Sequence, residues 1–336
     1  EYEILSGLVG SEMCIRDRPS NTFDTYDTVG LREDLADVIY NISPEDTPIL
    51  SSIPRAKCTS TKHEWQTDTL ADAGANAVIE GDDATTDAVV ASARVHNFTQ
   101  IMDKVILLSG TQFAVDAAGR ADEMAYQIAK KSKELKKDME FALIKENLSV
   151  AGTASAAREL GSISTWIATN GSAGANGGAL SSGFNPATGL TRATTGGDDR
   201  DLTEAILKAA IKSVYEAGGD LDMFVVPPSV KQTVSTFNAN TTRFGSAGDK
   251  VEYAAIDVYS SDFGDIQVVP NRIMALTNEK MCFLLQRDML AAAYLRDFSM
   301  NELAKTGDSE RVQLLVEWTL EMRNEKAHGI LLDINQ

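Results

Sequence analysis

Residues 121–149 read ADEMAYQIAKKSKELKKDMEFALIKENLS and carry the strongest helical pattern in the chain, within a helical stretch from Thr111 to Val150 that Gly119 interrupts. At 1.5 Å per residue, a helix over residues 121–149 would be about 43 Å long. One face is apolar, with Met124, Ile128, Leu135, Met139, Leu143 and Leu148, and the other carries Lys130, Lys131, Lys133, Lys136 and Lys137. The pattern predicts a long helix with a single apolar face, suited to lie along a sheet or a shell.

Two strand-like runs precede this helix and flank an acidic insert. Lys62–Leu70 alternates around Trp65, and Arg94–Leu108 is rich in β-branched and aromatic residues. The insert, residues 71–93, contains no lysine or arginine and carries the acids Asp72, Glu80, Asp82, Asp83 and Asp87. Such a segment has too little apolar area to order itself. We predict a long β-hairpin with a mobile acidic tip.

The part that follows the helix combines a glycine-rich segment with short apolar runs. Residues 151–200 hold ten of the 24 glycines and predict a functional or flexible loop. Asp201-Leu-Thr-Glu204 then predicts a capping box for a helix that ends at Gly218-Gly219. Further strands are predicted at 222–227, 257–259, 266–269, 281–285, 291–295, 311–324 and 330–334. The sum is an α+β protein with a compact central domain between two elongated parts.

The N-terminal segment lacks the periodic patterns found in the rest of the chain. Residues 1–18, EYEILSGLVGSEMCIRDR, show no helical or strand period and resemble the translated sequencing-adapter peptide found at the ends of genes from metagenomic data. We expect this segment to be non-native; a native N-terminal tail is the alternative. Residues 21–53 predict an extended arm around one short helix, and Pro48 and Pro54 are expected to keep its end extended.

The amino-acid composition excludes several classes of function. The 336 residues contain 31 Lys and Arg against 49 Asp and Glu, a net charge of −18, which argues against wrapping of nucleic acid by a basic surface. No stretch approaches the roughly 18 consecutive apolar residues of a transmembrane helix. Cys14, Cys58 and Cys282 are too few and too scattered for a disulfide framework or a zinc site. This cysteine usage suits a reducing cytosol.

The motifs of common enzymes are missing. There is no G-x-x-x-x-G-K phosphate loop, and His63-Glu64 has no second histidine at helical spacing. His63 and His96 are interpreted as a surface pair on the two hairpin strands, and Asp262-Phe-Gly264 as a hairpin turn rather than a kinase motif. We assign no catalytic residue, no cofactor-binding residue, no cofactor and no metal ligand. The sequence therefore favours a non-enzyme.

The order of these parts, and the wording of three stretches, resemble the major capsid protein of tailed bacteriophages with the Hong Kong 97-type fold. The stretches are NFTQIMDKVILLSGTQFAVDAAGRADEMAYQIAKKSKELKKDMEFALI (97–144), AAIDVYSSDFGDIQVVPNR (254–272) and AAAYLRDFSMNELAKTGDSERVQLLVEWTLEMRNEKAHGILLD (291–333). The resemblance covers residues 19–336. It implies an N-terminal arm (19–60), an extended loop (61–108), a peripheral domain with spine helix and glycine-rich loop (109–200), an axial domain (201–295) and returning peripheral strands (296–336).

By this resemblance the protein is a structural component of a virion, assembled in the cytoplasm of a bacterial host. Its copies would form hexamers and pentamers of an icosahedral shell that encloses double-stranded DNA without sequence-specific binding. Scaffold, portal and decoration proteins are the implied partners. The sequence has no long helical N-terminal scaffolding segment, which leaves open whether a separate scaffold or a cleavage controls assembly.

The sequence pattern predicts contacts with neighbouring subunits even without the resemblance. An arm, a long hairpin and an elongated strand cannot satisfy their apolar and backbone groups within one subunit, and obligate interfaces bury on the order of 2,000–5,000 Å². We expect the acidic tip, Asp72 to Asp87, to lie over the lysines Lys130 to Lys137 of a neighbour. The alternative is two solvated charge runs, because exposed ion pairs contribute only about 0–1 kcal/mol each. An acidic shell lining would also let packaged DNA slide.

Three other functions are alternatives to a phage capsid. An encapsulin-like shell would use the same fold to enclose enzymes, and a tail protein would stack its sheets into tubes. An enzyme of unrecognised mechanism would need a pocket in which two or more titratable groups converge.

Overall fold

The computed structural model describes residues 46–71, 73–83, 88–115, 122–237, 257–277 and 280–335. In these ranges the helices are α1 (Pro48–Ser52), α2 (Gly110–Ala114), α3 (Glu123–Ile144), α4 (Ile163–Trp166), α5 (Glu204–Glu216), α6 (Pro228–Thr236) and α7 (Met274–Thr277). The strands are β1 (Arg55–Lys57), β2 (Lys62–Thr67), β3 (Ala93–Phe98), β4 (Gln100–Ser109), β5 (Gly171–Ser172), β6 (Met223–Val226), β7 (Val258–Ser261), β8 (Gly264–Pro270), β9 (Cys282–Leu285), β10 (Leu290–Leu303), β11 (Ser309–Met322) and β12 (Gly329–Leu331). The combination confirms the α+β class predicted from the sequence.

A four-stranded sheet is built on the two longest strands. Its order is β1-β10-β11-β4, with β1 parallel to β10 and the other neighbours antiparallel. The alternating apolar residues of β11, from Val312 to Met322, are buried as the sequence pattern predicts. β10 extends well beyond the predicted strand at 291–295, and its register with β11 shifts between Tyr294 and Ser299.

A second sheet has six strands in the order β5-β12-β9-β6-β8-β7, and its strands β12, β9 and β6 are buried on both faces. Phe224 and Leu284 belong to the apolar cluster with α5 and α6, whereas Val225 and Phe283 belong to the cluster with α3 and the four-stranded sheet. β12 pairs with β9, so the last strand of the chain returns to this central sheet rather than to the strands around β11. The domain boundaries that the resemblance implies stay a prediction.

The predicted hairpin is formed by β2 and β3, which pair antiparallel from Lys62 opposite Phe98 to Thr67 opposite Ala93. The prediction of one continuous strand over Arg94–Leu108 is wrong, because the run divides at Thr99. The buried Thr99 donates its backbone N–H to the Thr61 carbonyl at 2.9 Å. After this residue the chain leaves the hairpin, and β4 pairs with β11 instead.

The long predicted helix is α3. Its N-cap is Asp122, whose Oδ1 accepts the backbone N–H groups of Met124 at 2.8 Å and Ala125 at 3.2 Å. The helix ends at Ile144, so it has 22 residues rather than the predicted 29 and spans about 33 Å. The predicted break at Gly119 lies outside the described residues.

Two local predictions are wrong for identifiable reasons. Pro48 does not keep the chain extended but occupies the first turn of α1, where a missing N–H costs nothing. The N-cap of α5 is Thr203 rather than Asp201, since the Thr203 hydroxyl accepts the Ile206 N–H at 3.4 Å. The predicted end of this helix at Gly218 is confirmed, and Gly218 adopts a φ of +90°.

Parts of the glycine-rich residues 151–200, such as 160–167, pack closely in the body of the protein, whereas others, such as 153–157, are exposed. The Ser149 and Thr191 hydroxyls each accept the other residue's backbone N–H at 2.9 Å, and both residues are buried. A side chain at Gly174 would clash with the Asp198 carbonyl oxygen, so glycine here permits backbone-to-backbone contact. Small residues therefore serve close packing, which the sequence pattern alone does not distinguish from flexibility.

Candidate assembly surfaces

The hairpin tip is the segment between β2 and β3, residues 68–92, and every described residue in it is exposed. Its aliphatic residues are 72 to 98% exposed; they are Leu70, Val78, Ile79, Val89 and Val90. Isolated exposed apolar residues are ordinary, but five of them within one projecting segment favour an interaction surface. Within the described chain nothing covers this group.

Three of the predicted acidic contact residues lie on the tip in a defined turn. Glu80, Asp82 and Asp83 are exposed, and Asp82 donates its backbone N–H to the Ile79 carbonyl at 3.1 Å. Gly81 holds the turn with a φ of +84°. Asp72 and Asp87, the other two predicted acids, lie outside the described residues.

The predicted lysines all lie on α3 but are not equivalent. Lys130, Lys133 and Lys136 are exposed, whereas Lys131 and Lys137 are half-buried. Lys131 forms an ion pair with Glu134 at 2.7 Å, and its hydrogen bond lowers the pKa of that carboxyl. Lys130 and Lys136 have no carboxylate partner among the described residues. Those two side chains are available to a neighbouring subunit.

A second apolar surface, which our sequence reasoning missed, lies on β4 at the edge of the four-stranded sheet. Ile101, Val105 and Leu107 are 48 to 55% exposed on the face opposite Ile106. An unpaired edge strand with exposed apolar side chains favours association with another chain. The signal was present in the sequence, because both alternating sets of residues in 100–109 contain apolar side chains.

A cavity of about 360 Å³ lies where α1, α3 and β10 meet, and we call it the arm-root pocket. Leu50, Ile53, Tyr294 and Phe298 give it an apolar floor, and Arg55 and Lys136 contribute positive charge. Burial raises the pKa of Tyr294, so this floor is a poor environment for a bare charge.

Glu140 holds the root of the arm to the body of the protein. This fully buried side chain on α3 accepts the backbone N–H groups of Ile49 at 3.0 Å and Leu50 at 2.8 Å, and the side-chain amide of Asn271 at 2.7 Å. Desolvation raises its pKa to about 7, although the three hydrogen bonds act in the opposite direction. One carboxyl group thus joins α1, α3 and the loop after β8.

Glu317 has a similar role on β11. It accepts hydrogen bonds from Thr99 Oγ1 at 3.0 Å, Arg158 Nη2 at 2.6 Å and Arg296 Nε at 2.7 Å, and it is buried. The two arginines neutralise a carboxylate that would otherwise be costly to bury. This contact fixes the glycine-rich segment and the bulge of β10 to the sheet.

The hairpin histidines and the described cysteines pack against other parts of the subunit. His63 and His96 do not form a surface pair, because the register places His96 opposite Glu64 and so on the other face of the hairpin. His96 packs edge-on against Phe184, with ring centroids 4.9 Å apart. Cys58 and Cys282 are buried free thiols, as predicted for packing residues, and burial raises the pKa of both.

The described ranges contain neither a metal cluster nor a helix that could cross a membrane. No group of three or more His, Cys, Asp or Glu side chains comes together there as a metal site. None of the helices described is long and apolar enough to span a bilayer.

Comparison with known proteins gives matches along nearly the whole chain. A family model described as SU10 major capsid protein matches residues 18–335. The major capsid protein of Escherichia phage Phieco32 is 27% identical over 350 aligned residues, which cover 92% of this chain and 96% of that protein. The match of the family model begins at the last residue of the segment predicted to be non-native, and the origin of that segment stays a prediction.

Solved structures share the fold at low sequence identity. The capsid asymmetric unit of cyanophage A-1(L) has a TM-score of 0.63 and 14% identity, covering 93% of this chain and 99% of that one. A chain from Gordonia phage Cozz has a TM-score of 0.60 and 12% identity, covering 96% and 98%. These likenesses confirm the Hong Kong 97-type α+β fold. The alternatives of an encapsulin-like shell, a tail protein and an enzyme are not favoured by these matches.

Proposed function

Because the chain belongs to the SU10 major capsid protein family, we propose that its copies self-assemble as hexamers and pentamers into an icosahedral head around double-stranded DNA. The protein is a structural capsid component of a bacteriophage virion and not an enzyme. The geometry of the head, the enclosed DNA and the individual partners are the proposed part.

The observation that carries assembly is the apolar hairpin tip. Full burial of one aliphatic side chain contributes about 1.5–3 kcal/mol before the cost of association, and the tip exposes five of them. A subunit that stayed monomeric would keep this area in water. Contact with a neighbour removes it, and each subunit can give and receive one tip in a closed ring.

The test is the size of the expressed full-length protein. Sedimentation velocity and negative-stain microscopy are expected to find closed shells, or hexameric and pentameric capsomers. A monodisperse monomer at high concentration would contradict the proposal.

We further propose that the acidic tip lies over the lysines of α3 in a neighbouring subunit. Glu80, Asp82 and Asp83 carry the negative charge, and Lys130 and Lys136 are available for pairing. Each exposed ion pair contributes only about 0–1 kcal/mol, but a shell repeats the contact in every subunit.

Charge reversal tests this contact. The double variant Lys130→Glu with Lys136→Glu is expected to lower the yield of particles and to make assembly depend more strongly on salt. Unaltered particle yield would remove the proposal. Lys212→Glu on α5 is the matched control, because Lys212 already pairs with Glu216 at 3.4 Å on an exposed helix surface.

The acidic composition supports a container that holds DNA without binding it tightly. A lining that repels phosphate lets DNA slide, whereas a basic lining would bind DNA with a strong salt dependence. Purified empty shells are expected to show no appreciable affinity for duplex DNA at physiological salt. A net basic inner surface in a reconstructed shell would contradict this part.

Portal, scaffold and decoration proteins are proposed partners on the resemblance alone, and co-expression with the candidate genes would test them.

A further inference from the structure

The root of the hairpin is the part of β2 and β3 that packs on the body of its own subunit. Asn97 is fully buried there; its Oδ1 accepts the Gly161 N–H at 2.9 Å, and its Nδ2 donates to the carbonyls of Gly161 at 3.2 Å and Leu320 at 2.9 Å. Trp65, on the same face of the hairpin, packs against Trp166 with ring centroids 5.3 Å apart. Neither an amide nor an indole gains or loses a proton between pH 5 and 8, so these contacts do not depend on pH.

One further contact on this face joins groups that carry charge. His63 lies directly opposite Asn97 in the hairpin, and its Nε2 lies 2.9 Å from Oε2 of Glu321 on β11. The two side chains are only 16 and 13% exposed, so water screens this pair less than it screens an exposed pair. The neighbours of His63 on β2, Lys62 and Glu64, lie on the other face and pair with each other at 2.7 Å. The strength of the contact between β2 and β11 therefore depends on the proton of the imidazole.

The other titrating groups around the contact leave Glu321 ionised in this range. The hydrogen bond with His63 lowers the pKa of Glu321 most, and a hydrogen bond from Arg323 Nε at 3.0 Å acts in the same direction against the effect of burial. Cys58 lies close enough for Glu321 to act on its thiol, but burial raises the pKa of Cys58 and keeps it neutral. Burial lowers the pKa of His96 on the opposite face of the hairpin, so His96 titrates at lower pH than an ordinary histidine.

We propose that His63 and Glu321 form a pH-sensitive clasp at the root of the hairpin, closed when the imidazole is protonated and loosened when it is neutral. Histidine is the side chain that ordinarily changes charge between pH 5 and 8. A protonated imidazole gives a carboxylate a charge-assisted hydrogen bond, which is roughly twice as strong as the bond from a neutral ring. The hairpin therefore sits most firmly on its own subunit in mild acid and changes its angle more freely at higher pH. The inference concerns the single subunit and does not depend on the proposed assembly.

Hydrogen exchange of the Gly161 amide tests the clasp, because this N–H loses its acceptor when Asn97 moves away with the hairpin. After correction for intrinsic rates, its protection in the full-length protein is expected to be about fivefold lower at pH 8 than at pH 5.5. Equal protection at the two pH values, or greater protection at pH 8, would overturn the proposal. This comparison needs no substitution, so a variant that fails to fold does not leave the clasp untested.

Three variants separate the charge of the contact from its structure. His63→Gln and Glu321→Gln each keep a polar side chain without a charge and are expected to remove the pH dependence of Gly161 protection. His63→Lys carries a positive charge at both pH values and is expected to keep at pH 8 the protection that it shows at pH 5.5. His96→Gln, on the opposite face of the same hairpin, is the matched control and is expected to retain the wild-type pH dependence. A pH dependence that survives in His63→Gln, or that disappears equally in His96→Gln, would reject the clasp.

Discussion

The central six-stranded sheet has its core strands buried within the subunit, whereas the hairpin tip is exposed. All four residues of β9 are buried, with an apolar cluster on each face, whereas the aliphatic residues of the tip lie in water. Both regions come from the same chain and both contain apolar side chains. The difference shows that the subunit completes its own body but leaves part of its apolar surface for a neighbour. Changes in the two regions should therefore have different consequences.

The largest expected effect on folding is in the central sheet. Leu284→Ala removes a fully buried side chain of β9 and should lower the free energy of unfolding by about 3 kcal/mol. Denaturant unfolding of dissociated subunits measures this. Leu276→Ala is the matched control, since Leu276 is 68% exposed, and it should change the free energy by less than about 0.5 kcal/mol. Equal effects would contradict the comparison.

The second effect concerns the pH dependence of the contact between α1 and α3. Opening this contact exposes Glu140, whose pKa then falls from about 7 toward its ordinary 4.5, so the opened form binds fewer protons between these values. The contact is therefore most stable below pH 4.5 and weakens by up to about 3 kcal/mol as the pH rises to 7. Hydrogen exchange of the Ile49 and Leu50 amides, corrected for intrinsic rates, should show less protection at pH 8 than at pH 5.

Glu140→Gln is the control for this pH effect, because it keeps the size of the side chain without a titrating proton. Protection that varies with pH to the same degree in this variant, or that increases with pH in the wild type, would contradict the assignment.

Buried His328 has the opposite effect on how the free energy of global unfolding changes with pH. Its pKa is lowered to about 4 by desolvation, so its contribution is lost as the pH falls below 6.5. Exchange through local opening of α1 separates the two groups.

A smaller effect is expected at the polar contact that joins the glycine-rich segment to the body. Glu317→Ala leaves Arg158 and Arg296 without their buried carboxylate and should lower the free energy of unfolding by about 2 kcal/mol. Glu310→Ala removes an exposed pair with Lys305 and should have almost no effect. If both variants unfold at the same denaturant concentration, the contact of Glu317 is not structural.

The smallest effect on folding, and the largest on assembly, belongs to the hairpin tip. Val78→Ser with Ile79→Ser should change the free energy of subunit unfolding by less than about 0.5 kcal/mol. Sedimentation should nevertheless show a marked loss of shells, because the interface loses its apolar anchors. Val258→Ser, at an exposed position of β7, should leave both quantities unchanged. A tip variant that assembles normally would remove the distinction between the two regions.

The sequence predicted the parts of this fold that depend on local periodicity. Alternation in 311–324 placed β11 within two residues of its ends, and helical spacing in 121–149 placed the start of α3 within two residues but its end five residues too late. The capsid architecture came from resemblance across long stretches. The hairpin with its acidic tip was also predicted, because two strand-like runs flank residues 71–93; the mobility of the tip stays a prediction.

Contacts between residues far apart in the chain were not predictable in the same way. Nothing near Glu140 indicates that it meets Ile49, which is 91 positions away, or that Asn271 completes the group. Thr99, where the predicted strand divides, contacts the distant Glu317, and β12 pairs with the distant β9. The arm-root pocket is likewise assembled from three separated segments.

A reconstruction of the shell by electron cryomicroscopy tests the central claim most directly. It is expected to show the hairpin tip of each subunit lying on α3 of a neighbour, with Val78 and Ile79 covered. A shell in which the tip projects freely into solvent, or packs only on its own subunit, would contradict the account.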